Sequence, residues 1–534
     1  MNNPLIYPNP SRRAVVYGGR GVAATSEPKA ALAGLEAFKS GGNAVDAAVA
    51  MAMALTVLEP GSNGIGADAF AIVWHKGKMY GLNSSGPSPA SISAEKLREM
   101  GHEKMPEKGF LPVTVPGAPA AWAALNSKFG KLSLSKLAEG AVDYARNGFP
   151  VSPTVSENWQ FAQRSYSRAK DESFYGPWFD TFTINGEAPK PGQIMRLPDH
   201  ARTLEEIAES GAESFYRGAL AEKIIKHFRA NGGFLEKEDL ASYAPEWVEP
   251  IKAVFRGHEV WEIPPNGQGL VALMALAVLE DMEFRGFGDP RDAHTIIEAV
   301  KIAFTDGKRY ITDSKFMAHT VEKLMSREIT EKRRAMITDR AIAPADIPFI
   351  DHGTVYLCAS DGEGTMVSYI QSNYMGFGSG VVVPGTGIAM QNRGANFTLD
   401  PVHPNCLAPH KRPYHTIIPG FLTKGGQPLG PFGVMGGFMQ PQGHVQVLVN
   451  MLEYGMNPQA ALDAPRWQWL EGRRISFELG NPGSLATALR QMGHDIEYAA
   501  SSGSFGRGQI ILKNEYGTLT GATEPRCDGM VVGW

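Results

Sequence analysis

"PFIDHGTVYLCASDGEGTMVSYIQSN" runs from Pro348 to Asn373. Val355, Tyr356 and Leu357 are strand formers, Ser360-Asp361-Gly362 is a turn, and Thr365 to Ile370 is extended again. The entry is unusual. Gly353-Thr354 opens the first strand directly behind a loop that carries Pro344, Pro348, Asp351 and His352. A threonine hydroxyl is a poor nucleophile without a base beside it. Its own α-amine is one such base, with an ordinary pKa of about 7.7–8.0, but only if the chain is cut in front of the threonine. Gly353 suits a cut there, because it lets the hydroxyl approach its carbonyl and tolerates strained dihedrals. A Gly-Thr pair is also a common way to begin a strand, and the local pattern leaves both readings open.

The surrounding chain narrows the class. It has 534 residues, 43% hydrophobic and 20% charged, enough for a large buried core. The net charge of -4 gives no basic excess to hold a phosphate backbone, so a nucleic-acid partner is not expected. The first residues show no apolar region behind a basic one, so no secretory signal is read. The longest apolar run, Ala44 to Leu58, is too short to span a bilayer and carries Asp46, so it is expected to be a buried core helix and not a membrane anchor. Cys358, Cys406 and Cys527 form neither a metal spacing nor a disulfide framework, which favours a reducing, cytoplasmic setting.

Helices are expected from Pro28, capped by Ser26, and from Asn43 through the Ala-rich run. A strand AFAIVWH returns through a hairpin with Gly77 at its turn, and helices follow around TVPGAPAAW and LSLSKLAEGAVDYARN. The stretch from Glu157 to Asp239 reads as mostly helical. Beyond Thr354 strand pairs dominate, with one helix, HVQVLVNMLEYG, before a final hairpin. Helix pairs outside and strand pairs inside predict a layered α+β or α/β sandwich. Gly64-Ile-Gly66 follows a helix and opens a strand, the reverse of a dinucleotide fingerprint, which argues against an oxidoreductase.

Eight segments, in order, resemble the γ-glutamyltranspeptidase family of N-terminal-nucleophile hydrolases. They are Gly41–Gly66, Thr114–Trp122, Gly148–Ser152, Ile263–Gly269, Gly353–Leu357, Phe377–Gly380, Asn457–Trp467 and Gly521–Gly529. The resemblance covers nearly the whole chain. It implies a four-layer αββα sandwich of the α+β class. It also implies a large subunit of residues 1–353 and a small one of residues 354–534, intertwined as one domain. Thr354 would cut the bond after Gly353, then attack a substrate amide and form an acyl-enzyme, with no cofactor or metal. The partners implied are a small-molecule amide and the two subunits of one precursor, and a dimer of such heterodimers is left open. Gly436 and Gly437 in GVMGG resemble the oxyanion loop, and also read as a plain glycine turn. Asn373 and Gln371 match positions near the nucleophile, although at the latter typical members have a hydroxyl residue.

The acyl pocket departs from the family. LNSSGPSPA (Leu82–Ala90) carries no arginine where members have one. QNRGANF (Gln391–Phe397) puts Arg393 at a Gln position and Asn396 at an Asp position, and KRPYHT puts His415-Thr416 where members have a serine pair. Losing an aspartate removes a counter-charge for a substrate ammonium, and gaining Arg393 adds a planar cation suited to a carboxylate. Hydrolysis of γ-glutamyl amides such as glutathione is one expectation. An oxamate-like or glutaryl-like acidic amide without an α-amino group is another, and a non-catalytic binding protein is a third. Ala67 and Asp68 replace glycines of the family's Gly-rich run, and Asp68 is read as a turn cap. The segment between Phe397 and Lys411 is shorter than a lid-bearing version, so an open site is expected.

Overall fold

Two seven-stranded antiparallel sheets organise the chain in the computed structural model, which describes residues 13–169, 173–344 and 353–534. Pro348, Asp351 and His352 lie outside the described residues. The first sheet has the order Met530–Gly533, Gly21–Thr25, Gly353–Asp361, Met366–Tyr374, Asp68–His75, Lys78–Ser84, Glu246–Val248. The second runs Val16–Gly18, Leu519–Thr523, Arg507–Lys513, Gln427–Met435, Gly420–Lys424, His258–Glu262, Ile251–Phe255. Their facing sides share one apolar layer, in which Phe70, Tyr356 and Ile370 of the first sheet meet Phe421 and Ile511 of the second. A Cβ on Gly433 would fall 2.4 Å from the Tyr356 ring, so the second sheet needs a glycine there to come so close.

The helix Ala44–Leu58 packs on the other side of the first sheet and is buried along its whole length. Its all-round apolar character leaves it no solvent face. Asn43 and Asp46 form a capping box at its start, and the Asp46 carboxylate also accepts from the amides of Lys131 and Leu132. The helix Pro28–Lys39 lies against it. On the second sheet the helices Gly269–Leu279 and Met439–Leu452 take the corresponding outer place.

The structure corrects three local readings. The cap of the helix from Pro28 is the Glu27 carboxylate, while Ser26 donates to Glu59, because the longer acidic side chain reaches the free amides of Lys29 and Ala30. Asp68 is the first residue of a strand and not a turn cap. The C-terminal part holds more than one helix: Pro458–Asp463 precedes a small three-stranded sheet, and Gly483–Gln491 lies between its second and third strands. Both are shorter than three turns, which leaves little periodicity to read. No described helix is long and apolar enough to cross a membrane.

A buried polar cluster ties residues 338–342 to the body of the protein. The Glu298 carboxylate accepts from Lys301 Nζ at 2.9 Å and from the Ile342 amide at 2.9 Å, with Glu298 and Lys301 both fully buried. His294 Nε2 donates to the Thr338 carbonyl, so its Nδ1 accepts from His494 Nε2 at 2.8 Å. That leaves His494 Nδ1 to accept from Lys301 at 3.4 Å. Glu298→Ala strands a buried ammonium and a backbone amide. We expect it to lower unfolding free energy by about 3–5 kcal/mol. Urea unfolding checks this, and a loss below about 1 kcal/mol would show that the cluster carries no net weight.

Candidate active site

Strand alternation decides which side chains can meet Thr354. Along Gly353–Asp361 the odd residues Val355, Leu357 and Ala359 enter the helix-side core, whereas Tyr356 and Cys358 face the second sheet. Along Met366–Tyr374, Val367 and Tyr369 go to the helix side, and Met366 and Ile370 go between the sheets. Thr354, Ser372 and Tyr374 therefore share the inter-sheet face. The pairing is irregular between Gly353 and Val355, where Gly353 pairs with Tyr374 and Val355 with Gln371. At this irregularity Thr354 Oγ1 lies 3.0 Å from Ser372 Oγ, and each hydroxyl lies within 3.0 Å of the Gly353 carbonyl oxygen. A Cβ on Gly353 would fall 2.9 Å from the Gly61 carbonyl, so only glycine fits before the threonine. Thr354 is fully buried in the unbroken chain, a closed site where an open one was expected.

Arg393 stands behind this triangle of oxygens. Its Nη2 donates to Ser372 Oγ at 3.1 Å and its Nη1 to Thr416 Oγ1 at 2.6 Å, while the guanidinium lies 4.4 Å over the Tyr374 ring. Ser372 Oγ also accepts from the Tyr374 amide at 2.8 Å, which leaves its own hydrogen for the Gly353 carbonyl. Among the described residues no carboxylate lies within 4.0 Å of the guanidinium, and Arg393 Nε has no acceptor. Burial draws the guanidinium down to about 10, against the pull of Asp68. Asn396 accepts from the Tyr374 hydroxyl, and its Nδ2 has no partner among the described residues.

Asp68 pairs directly across the sheet with Ser372 and faces the same side. Its Oδ2 lies 3.0 Å from His415 Nε2, and both side chains are fully buried. The Ile417 amide donates to His415 Nδ1, so the imidazole carries its proton on Nε2 and gives it to Asp68. Burial, with Arg393 and Arg412 adding to it, holds His415 well below its ordinary value and hence neutral. Burial pushes the Asp68 carboxyl up to about 7, against the opposing Arg393 charge. The sequence reading passed over Asp68 as a turn cap. Its signal was an acid replacing glycine in an otherwise apolar strand start.

Two site expectations are corrected. Gln371 faces the helices, accepting from Trp122 Nε1 and the Tyr369 hydroxyl and donating to Asn63, on the opposite face from Ser372 and Arg393. The hydroxyl expected there is supplied one residue later, by Ser372. Asn373 also points to the helix side, towards Gly64, and its side-chain amide has no hydrogen-bond partner among the described residues. Strand alternation puts it across the sheet from the Thr354 hydroxyl. Gly436 and Gly437 follow the strand Gln427–Met435 with φ of +130° and +58°. Gln268 Nε2 bridges the carbonyls of Gly437 and Thr416 and so fixes the loop beside the pocket. It is a positioning residue the sequence reading missed, though its IPPNGQG segment was noticed.

The ligand atoms of His294, Glu298 and His494 come within 4.8 Å of one another, a set that could hold a metal ion. The hydrogen bonds above already commit them, and the Lys301 ammonium takes the place a cation would occupy.

Asp68 makes stability depend on pH. Its carboxyl rises from an ordinary 3.8 to about 7 on folding, so the folded chain keeps a proton that the unfolded chain sheds in between. This contribution is full below about pH 4 and is lost as pH rises towards 7, on the order of 4 kcal/mol. Asp68→Asn should remove that slope. Urea unfolding of both proteins across this range checks it, and parallel curves would overturn the assignment.

The whole chain is similar to known proteins. The gamma-glutamyltranspeptidase family model matches residues 30–534. The glutathione hydrolase-like YwrD proenzyme of Bacillus subtilis is 34% identical, over 97% of this chain and 99% of its own. The oxamate amidohydrolase proenzyme of Klebsiella pneumoniae is 33% identical, over 96% and 98%. Among solved structures, cephalosporin acylase from Bacillus halodurans superposes with a TM-score of 0.96 at 56% identity, covering 100% of this chain and 99% of that one. With a single family model spanning nearly its full length and relatives matched end to end, the chain belongs to the gamma-glutamyltranspeptidase family of N-terminal-nucleophile hydrolases.

Proposed function

We propose that the chain cuts its own Gly353–Thr354 bond and then hydrolyses a small amide whose acyl group ends in a carboxylate. In the first reaction Thr354 Oγ attacks the Gly353 carbonyl carbon. The peptide C–N bond breaks as an ester forms, and water releases the Gly353 carboxylate and a free Thr354 amine. In the second, that amine takes the hydroxyl proton as Oγ attacks the substrate carbonyl. The proton passes to the departing amine, and water hydrolyses the acyl-Thr354 ester. The amides of Gly436 and Gly437 are the proposed oxyanion donors.

The observation that carries the acyl preference is Arg393: a buried cation held, among the described residues, by hydroxyls and a ring, with its Nε–H unused there. An incoming carboxylate would supply the counter-charge it lacks. Thr416 and Asn396 complete the proposed pocket, and His415 orients Asp68 at its edge. A second reading has support in Asp68, which could face the ammonium of a γ-glutamyl group. The Bacillus halodurans acylase and the oxamate amidohydrolase agree with the first reading, and the glutathione hydrolase-like protein with the second. Sheets packed face to face, with helices outside both, support the four-layer αββα arrangement. The three free cysteines support a cytoplasmic setting.

Intact mass of the aged, purified protein should show two pieces of roughly 38 and 20 kDa, the smaller beginning at Thr354. Thr354→Ala should stay whole. A wild-type chain that also stays whole would leave a binding protein. On processed enzyme, glutaryl-p-nitroanilide should be cleaved in preference to γ-glutamyl-p-nitroanilide. Arg393→Met should raise KM for it about tenfold or more. Preference for the γ-glutamyl compound would favour the second reading, and an unchanged KM would remove Arg393 from the acyl site.

A further inference from the structure

Two buried groups of opposite sign flank Ser372 without meeting. Arg393 Nη2 donates to Ser372 Oγ, and Asp68 is the residue paired with Ser372 across the sheet. Side chains directly opposite in such a pair start about 4.5–5.5 Å apart. Arg393 and Asp68 are both fully buried, where an ion pair between them would be the ordinary outcome. They form none. Asp68 Oδ2 takes the Nε2 proton of the neutral His415 instead.

Hydrogen-bond accounting places the Asp68 proton. Oδ2 receives a donor from His415. Oδ1 is buried and receives none among the described residues: the Gly86 and Gly117 amides approach the carboxyl but do not reach Oδ1 in hydrogen-bond geometry. A bare carboxylate oxygen is costly in such a place, so the proton belongs on Oδ1. Its O–H is then a buried donor without an acceptor, as is the Nε–H of Arg393 among the described residues. The other charged and titratable groups that face Asp68 leave this unchanged. Arg412 is paired with Glu246 at 2.8 Å. Burial keeps the hydroxyls of Tyr216 and Tyr243 protonated, and they bond to the Pro116 carbonyl and to Ser84.

Two unmet donors on either side of one hydroxyl suit a ligand with two acceptor oxygens. We propose that Asp68 works as a carboxylic acid in the acyl pocket and shares the substrate's terminal carboxylate with Arg393. Arg393 supplies the charge and Asp68 the second hydrogen bond. This rests on the acyl reading above, and it reverses the usual use of an aspartate as an anion facing an ammonium. It also sets a pH limit on binding. The folded Asp68 carboxyl titrates at about 7. Below that value the proton needed for binding is present. Above it the proton is lost, and a second negative charge faces the ligand.

Calorimetric titration of the processed enzyme with glutarate, in two buffers of different ionisation enthalpy, tests this. Glutarate is itself fully ionised at about pH 8, so binding there should take up about one proton per site. The uptake should vanish in Asp68→Asn, which keeps a donor but does not titrate, whereas uptake by the Thr354 amine would survive that change. Wild-type KM for glutaryl-p-nitroanilide, read apart from kcat, should rise about tenfold from about pH 6 to about pH 8 and stay level in Asp68→Asn. Should the variant not fold, the wild-type KM profile decides alone. Glutarate that binds without proton uptake, or with uptake that Asp68→Asn retains, overturns the role of Asp68 and leaves the acyl reading standing. A KM that is flat or falls with rising pH in the wild type overturns it also. Glutarate that does not bind even at about pH 6 overturns the acyl reading, and this proposal with it.

Discussion

The pairing of Gly353–Asp361 with Met366–Tyr374 governs everything around the Gly353–Thr354 bond. A strand puts alternate side chains on opposite faces, so a fixed register leaves no freedom over which groups meet. Ser372 is brought under Thr354 by that register, and Asp68 is brought beside Ser372 by the next pair in the sheet. The irregularity at Gly353–Val355 falls where the threonine hydroxyl and the preceding carbonyl oxygen stand 2.8 Å apart. The two sheets close over this point, and the result is a hydroxyl, a carbonyl and a cation assembled away from water.

Burial is also what gives the charged groups their properties. Arg393 has given up its hydration for two hydroxyl acceptors and an aromatic face, an incomplete exchange for a guanidinium with five donors. Asp68 gives partial compensation at longer range but is itself held by His415, which stays neutral and passes on no charge. The pocket therefore has a spare cation and a carboxylate that is only marginally ionised near neutral pH. An anionic ligand relieves the first of these without disturbing the second. A zwitterionic ligand needs Asp68 charged and turned towards it, which works against both its burial and its bond to His415.

Much of this was legible in the sequence. Thr354 stood out because a Gly-Thr strand start behind a proline-spotted loop is odd. The buried helix Ala44–Leu58 stood out because its apolar run had no polar face. Arg393, His415, Thr416 and Asn396 were found as departures from a family pattern, and the structure puts Arg393 beside Thr416 and Ser372, with Asn396 on Tyr374. Gln371 and Asn373 were misplaced for one reason. Similarity along the chain does not say which face of a strand a residue takes, and one step along it exchanges Ser372 for its neighbours. Asp68 was passed over because the Gly-rich run before it hides where the strand begins.

The burial of Thr354 also bears on why such a chain would begin its working life unbroken. While the Gly353–Thr354 bond is intact, Thr354 has no free amine, so the general base of the proposed amidase does not exist. The carbonyl that a substrate must replace is still attached to the chain. Ser372 nonetheless already donates to that carbonyl, with Arg393 behind it, so part of the proposed site is assembled on the chain's own peptide first. The cluster of Glu298, Lys301, His294 and His494 fixes residues 338–342, so the chain approaching the bond starts from a rigid point. The proposed cut would leave the sheets in place, since they are held by pairing on both sides of the threonine strand. It would create the amine and free the place of the carbonyl, so one chemical step would supply both the base and the space.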